Sequence, residues 1–275
     1  MNHGGLIDIG AVIAGERTWA VVHADCLDVI PMVPPEFRRI VAADPTYGYG
    51  SYPSDKDITL QMLRAVQGWT TLALKGYAQD LYRWLHAAGV ESVEEWVCWY
   101  PTNHACKANG NAKGLPRFHE DWAVCGEVPG SRDIMRPRAD HKVSQRINEL
   151  HRTKHKDHAR KYDPRGDARE GDVWTDPSPG IAFQAHLRLH PNEMPIGVAI
   201  KLVQLISHPG DCIFDPFAGS FSLGVACVRL GRRYIGVEIS QEWADQGRER
   251  LQAESEGSTL AARKAGQVPL FGAPR

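Results

Sequence analysis

The chain has 275 residues, 43% of them hydrophobic, enough for one large α/β domain or a domain carrying an insertion. No apolar run is long enough to span a bilayer, and the partly apolar start, Met1 to Gly15, lacks a basic leader and a cleavage site, so no export signal is expected. A formal net charge of −1 and six scattered cysteines argue against a uniformly basic chain and a disulfide-stapled secreted domain, and suggest a reducing, cytoplasmic setting.

In chain order, Trp19 to His23 reads as a strand, and Ala24-Asp25-Cys26-Leu27 leaves its end. Ile40 to Ala43 is a short apolar run stopped by Asp44-Pro45, the pattern of a buried strand. Gly48-Tyr49-Gly50-Ser51-Tyr52-Pro53 reads as a loop. Leu74, Tyr77, Leu81, Trp84, Leu85 and Ala88 recur at helical spacing, and Gly89 follows as a C-terminal cap. Trp96 to Tyr100 and Trp122 to Cys125 read as further strands, in which Cys98 and Cys125 are small core residues.

From Gly130 to Glu170 there are twelve Lys/Arg and seven Asp/Glu, a surplus of five, which leaves the remainder of the chain near −6. This stretch interrupts the α/β alternation and is read as an insertion at 130–171, between units at 1–129 and 172–253 and a tail at 254–275. A local basic patch can bind phosphate through counterion release, and Arg132, Arg136, Arg138, Lys154, Lys156 and Arg160 are the candidate contacts. A solvated helical insertion explains the same charges. His151, His155 and His158 share helical spacing, but no carboxylate or cysteine completes a site, so no metal is expected.

Beyond the insertion, Asn192 is a candidate cap for a helix with Pro195 in its first turn and Ile196, Ile200, Val203 and Ile206 on one side. Cys212 to Phe214 then reads as a strand, Leu223 to Leu230 as a helix closed by Gly231, and Tyr234 to Val237 as the next strand. A strand ending at Asp215, followed by Gly219 and a helix start, is a nucleotide-binding turn. Glycine lets backbone approach a ligand, and the helix start offers unpaired N–H groups. Glu238, 19 residues beyond Gly219, ends the next strand, where a carboxylate can accept both ribose hydroxyls. An ordinary tight turn with a surface glutamate is the plainer account.

Asp215-Pro216-Phe217-Ala218-Gly219-Ser220, with Gly231-Arg232-Arg233-Tyr234-Ile235-Gly236-Val237-Glu238-Ile239, resembles the S-adenosylmethionine-binding half of the β-class DNA amino-methyltransferases. His190-Pro191-Asn192-Glu193-Met194-Pro195 is similar to the His-Pro element before it, and Asp44-Pro45-Thr46-Tyr47 to the Asp-Pro-Pro-Tyr catalytic tetrapeptide. The order, amine site first and cofactor turn last, is that of the permuted class, and the resemblance runs from about Val21 to Leu251. It implies a Rossmann-like class I methyltransferase fold with a mixed, mostly parallel twisted sheet, the basic insertion serving as target-recognition region. It further implies S-adenosylmethionine as cofactor, held by Asp25, Cys26, His190, Asp215 to Ser220, Glu238 and Ile239. Double-stranded DNA with a flipped base is the implied substrate, and self-pairing is known among similar proteins.

An adenine amine is a poor nucleophile because its lone pair is delocalised into the ring. Two acceptors, the Asp44 side chain and the Pro45 carbonyl, can hold its two hydrogens and aim the lone pair, and Tyr47 can stack on the base. By the resemblance, Asp44 favours adenine N6 over cytosine N4. No Pro-Cys dipeptide occurs in the chain, which excludes the usual C5-cytosine mechanism with its thiolate nucleophile. Three departures stand out. Thr46 replaces the second proline, Met194 replaces a common lysine, and Phe221 replaces a glycine, where a side chain is expected to crowd the cofactor or force another turn. In the tail, Gln267-Val268-Pro269-Leu270-Phe271 resembles a peptide that docks on the bacterial sliding clamp, with Gln267, Leu270 and Phe271 as anchors; packing of Leu270 and Phe271 on their own domain explains the same residues equally well.

Overall fold

The computed structural model describes residues 3–45, 55–100, 120–130, 135–136, 168–169, 172–175, 193–264 and 266. Within these, helix α1 (His3–Ile13) leads to strand β1 (Trp19–His23), helix α2 (Cys26–Val29), strand β2 (Ile40–Ala43) and helix α3 (Asp55–Ala65). Strand β3 (Thr71–Gly76), helix α4 (Ala78–Ala87), and strands β4 (Glu95–Trp99) and β5 (Glu120–Gly126) follow. Short strands β6 (Met135–Arg136), β7 (Ala168–Arg169) and β8 (Val173–Trp174) precede helix α5 (Ile196–Ile206), strand β9 (Cys212–Asp215), helix α6 (Ser222–Arg229) and strand β10 (Arg233–Glu238). Helices α7 (Gln241–Ser255) and α8 (Leu260–Lys264) end the described chain.

Eight strands form one sheet in the order β1-β10-β9-β2-β3-β5-β4-β8, and β6 pairs with β7 apart from it. The first five run parallel, while β5 is antiparallel to both β3 and β4. This is the mixed, mostly parallel α/β sheet that the sequence led us to expect. Both faces are covered. On one, Val198, Leu202 and Ile206 of α5, Leu223 and Ala226 of α6 and Leu251 of α7 join Ile213, Tyr234 and Trp122 of the sheet. On the other, Val12 of α1, Met62 of α3 and Leu81 and Trp84 of α4 meet Val41, Leu74, Phe214 and Ile235. Central strands buried on both faces read as continuous apolar runs, which is why Ile40–Ala43 and Cys212–Asp215 were recognisable.

The same burial misled the reading of β3. Leu74 lies in that strand and Tyr77 is the N-cap of α4, so the helix is one turn shorter than its apolar spacing suggests. Lys75, a charge inside a buried run, broke the strand pattern. Pro195, not Asn192, stands at the N-cap of α5, where no side chain caps the helix. Helix α7 runs through Glu254 to Ser255, and Leu260 of α8 is buried, so the first part of the segment read as a tail is helical.

Candidate active site

Chain order fixes where a cleft can form. From β2 the chain moves through α3 to β3 on one side. From β9 it moves through α6 to β10 on the other. Met62 of α3 and Leu223 of α6 lie in opposite core layers, so the two connections diverge above the β2–β9 boundary. This is a topological switch point, and in open α/β sheets the crevice beyond the strand ends at such a point is where ligands bind. Strands β2 and β9 pair in parallel with Val41 opposite Phe214, so Asp44 and Asp215 leave the sheet at the same edge.

On the β9 side, Asp215 is buried and accepts from the Tyr234 hydroxyl at 2.8 Å and from the Phe217 N–H at 3.2 Å. Tyr234 reaches it by lying across Gly236, where a Cβ would stand 2.5 Å from the tyrosine oxygen. Burial is the main cause that pushes the Asp215 carboxyl up to about 7. The two donated hydrogen bonds oppose the rise, and the charges of Asp44 and Glu238 add to it. The pairing of β2 with β9 sets the two turns side by side.

The turn after Asp215 is tied to the end of β10. The Ala218 N–H donates to the Val237 carbonyl at 2.9 Å, and the Gly219 N–H to one oxygen of Glu238 at 2.9 Å. The other Glu238 oxygen accepts from the Ser240 N–H at 2.9 Å. Each carboxylate oxygen keeps a second lone pair for a further donor. Beside it, the Ala24 N–H donates to the Glu238 carbonyl, and Asp25 caps α2 by accepting from the Leu27 N–H at 2.9 Å. Asp25, Cys26 and Glu238 are thus neighbours on adjacent strand ends. Burial, with Asp25 next in weight, pushes the Cys26 thiol up to about 12, so it is a packing residue and no nucleophile. Ile239 is exposed, and Pro216 and Ala218 are buried under the turn.

Phe221 has φ +61, the left-handed conformation in which glycine is the usual residue. Its ring does not crowd the turn. It is fully buried, meets Tyr234 edge-on at 6.4 Å, and occupies the space beside Gly247, where a Cβ would come within 2.3 Å of ring atoms. The chain therefore keeps the glycine-like backbone and sends the extra side chain into the core. Phe221→Ala is expected to destabilise the fold by about 3 kcal/mol, since the emptied cavity outweighs any relief of strain, as denaturant titration would measure. Met194 likewise sits in the core, and its carbonyl accepts from Ser222 at 2.8 Å. Glu193, adjacent, pairs with the largely buried Arg250 at 2.7 Å, and Arg250 also donates to the Ser220 carbonyl. Glu193 is thereby strapped to the turn after β9 by a residue of α7 that sequence reasoning missed.

On the β2 side, Pro45 is buried and Asp44 half-buried. Lys75 of β3 is buried and lies 2.9 Å from Asp44 Oδ2 and 2.7 Å from Glu120 Oε2. Its Nζ also sits 5.4 Å from the centre of the Trp99 ring. Burial would lower the Lys75 ammonium, but the two carboxylates outweigh it and hold it above its ordinary value. Neither Lys75 nor Glu120 was singled out from the sequence. The available signal was a lone lysine in an apolar run, since a buried charge needs a partner.

Thr46, Tyr47 and His190 lie outside the described residues, as do Arg132, Arg138, Lys154, Lys156 and Arg160 of the basic insertion and Gln267, Leu270 and Phe271 of the tail. Arg136 is in β6. Among the described residues, no group of three or more His, Cys, Asp or Glu side chains is disposed to hold a metal, and no helix is long and apolar enough to cross a membrane.

A mostly parallel sheet with helices on both faces, acidic residues at the strand ends beside its switch point and a turn bound to the next strand's terminal glutamate make up a Rossmann-like class I methyltransferase fold. Residues 40–249, well over half of the chain, match the N6/N4 DNA methylase family, and the chain belongs to that family. Among curated relatives, DNA adenine methyltransferase YhdJ of Escherichia coli (strain K12) is 35% identical over 85 residues, covering 31% of this chain and 29% of that protein. Type II methyltransferase M.HpaI of Haemophilus parainfluenzae is 27% identical over 183 residues, 66% of this chain and 52% of that one. The match thus spans about a third to a half of these relatives' own lengths. Among solved structures, the M1.HpyAVI–SAM complex superposes with a TM-score of 0.54 at 16% identity, covering 85% of this chain and 98% of that one. The cytosine-N4-specific PvuII DNA methyltransferase gives 0.57 at 14% identity, with 84% and 86% covered.

Proposed function

We propose that this chain transfers a methyl group from S-adenosylmethionine to the exocyclic N6 of an adenine flipped out of double-stranded DNA. The observation that carries the reading is the adjacency of Asp44 and Asp215 across the β2–β9 switch point, acceptor on one side and cofactor turn on the other.

The donor set fits the cofactor. S-adenosylmethionine bears a sulfonium, an ammonium and a ribose diol, and the cleft presents the carboxylates of Asp215, Glu238 and Asp44. Bound there, it supplies an electrophilic methyl group. Glu238 would accept from ribose hydroxyls with its remaining lone pairs, Asp25 and Cys26 would border the adenine, His190 and Ile239 would flank the site, and residues 215–220 would form the floor. The Asp44 carboxylate and the Pro45 carbonyl accept hydrogen bonds from the two amine hydrogens and direct the nitrogen lone pair at the methyl. As the N–C bond forms the methyl–sulfur bond breaks to leave a neutral thioether, and the cationic amine then sheds a proton to water. Tyr47 stacks on the extruded base, which returns about 1–3 kcal/mol toward the cost of leaving the helix. The basic insertion, with Arg132, Arg136, Arg138, Lys154, Lys156 and Arg160, contacts DNA phosphates or base edges. Clamp docking through the tail and self-pairing form no part of this reaction.

The second reading is cytosine N4 on the same scaffold, favoured by the likeness to a cytosine-N4-specific enzyme. Methylating unmodified DNA, digesting it to nucleosides and weighing the products separates the two. N6-methyl-2′-deoxyadenosine is expected, and N4-methyl-2′-deoxycytidine or no product overturns the adenine assignment. A third reading, a catalytically weak or silent DNA-binding relative, takes its motive from the departures at Phe221 and Met194, whose side chains are both buried in the core. Glu238→Gln is expected to weaken S-adenosylmethionine binding by roughly 10–100-fold in calorimetry, because one charged acceptor becomes a donor.

A further inference from the structure

Asp44 does not act alone in the cleft. It leads out of β2, Lys75 is on the adjacent β3, and Glu120 opens β5 on the far side of β3. Lys75 and Trp122 stand opposite each other in register, so Lys75 and Glu120, two residues from Trp122, project on the same face of the sheet. Three strands thus bring a carboxylate, an ammonium and a second carboxylate into one row, with Lys75 only 6% exposed in its side chain and Asp44 and Glu120 19% and 29% exposed.

A lysine beside the amine acceptor has two opposed effects. It fixes the carboxylate by holding one oxygen, which sets the direction of the other. It also cancels the negative charge that a methylated, cationic amine would need close by. A second carboxylate on the same ammonium resolves that conflict, for the trio then carries a formal charge of −1 instead of zero. The indole face of Trp99 holds the ammonium from another side.

We infer that Lys75 and Glu120 are positioning residues for amine methylation: Lys75 clamps Asp44 in its accepting orientation, and Glu120 restores the negative charge that Lys75 removes. The inference rests on the proposed function, because it assumes that Asp44 faces the target amine. Neither residue touches substrate.

The test uses the full chain with unmethylated genomic DNA and compares Lys75→Arg, Lys75→Met, Glu120→Gln and the double variant K75M/E120Q. Glu120→Gln is expected to lower kcat on the order of tenfold, with KM for DNA and the dissociation constant for S-adenosylmethionine unchanged. Lys75→Met is expected to lose on the order of 100-fold in kcat, and Lys75→Arg to recover most of it, since the charge is kept. The double variant again carries −1 and sets no two unpaired carboxylates against each other, so it is expected to fold and to exceed Lys75→Met in kcat. Unchanged kcat in Glu120→Gln, with an active wild type, overturns the inference alone. Equal loss of Tm and cofactor binding in Lys75→Met and Lys75→Arg, or a double variant no better than Lys75→Met, also overturns it by reducing the trio to a structural ion pair. A wild type that methylates neither adenine N6 nor cytosine N4 overturns the proposed function, and the inference with it.

Discussion

Asp44→Ala is expected to reduce methyl transfer by about 10²–10³-fold, the loss typical of removing one preorganised group aimed at developing charge. Affinity for S-adenosylmethionine, measured by calorimetry, is expected to stay unchanged. The contrast follows from where Asp44 sits. It follows β2 beside Lys75, whereas the turn proposed to hold the cofactor is fastened to β10 through Gly219, Glu238 and Ser240. Lys75 keeps Glu120 at 2.7 Å after the substitution, so no buried ammonium is stranded and the fold is expected to hold. Asn at this position keeps one carbonyl oxygen, which must serve both Lys75 and the target amine, so only partial rescue is expected. Loss of cofactor binding together with activity in Asp44→Ala would contradict the division of labour between the two turns.

Asp215→Asn is expected to change how stability depends on pH. The folded carboxyl titrates at about 7 against an ordinary value of 3.8, and burial is the main cause. Below pH 4 both folded and unfolded chains hold the proton. Between 4 and 7 the folded chain keeps a proton that the unfolded chain has released, so stability falls as pH rises and the loss is complete above 7. A difference of that size amounts to about 4 kcal/mol at full ionisation. Asparagine has the same shape and no charge. It can accept from the Phe217 N–H and donate to the Tyr234 oxygen. The variant is therefore expected to gain on the wild type between pH 5 and pH 8, by on the order of 10 °C in Tm at the upper end. Parallel pH profiles for the two proteins would show that Asp215 ionises normally. A carboxylate kept at this cost is suited to a cationic ligand, whose charge makes the ionised form favourable.

The elements bearing the site were legible because each ends in a local chemical signal. Ile40–Ala43 stops at Asp44-Pro45, Cys212–Asp215 at Pro216, and Arg233–Glu238 at an acidic residue before a serine-capped helix. Those signals lie within a few residues of the strands they close. What escaped the sequence was set by contacts between distant segments. Lys75 and Glu120 meet only because β3 lies between β2 and β5, an order that no local pattern encodes. Strand β3 was read in part as helix, since Leu74 and Tyr77 happen to stand in phase with the true helix Ala78–Ala87. Phe221 was expected to obstruct the cleft, because the residue that makes room for it, Gly247, is on α7 and unremarkable by itself.

That last pairing constrains how the chain can change. With the Phe221 ring filling the space beside position 247, any side chain there collides, so a helix interior retains glycine at a penalty of about 1 kcal/mol relative to alanine. Restoring glycine at 221 alone empties the hole, and enlarging 247 alone overfills it. Each reversal is blocked until the other has occurred, so the order of substitutions matters. Homologues descended from this branch should inherit the two residues together, and a lineage with glycine at 221 should be free to carry alanine or larger at 247.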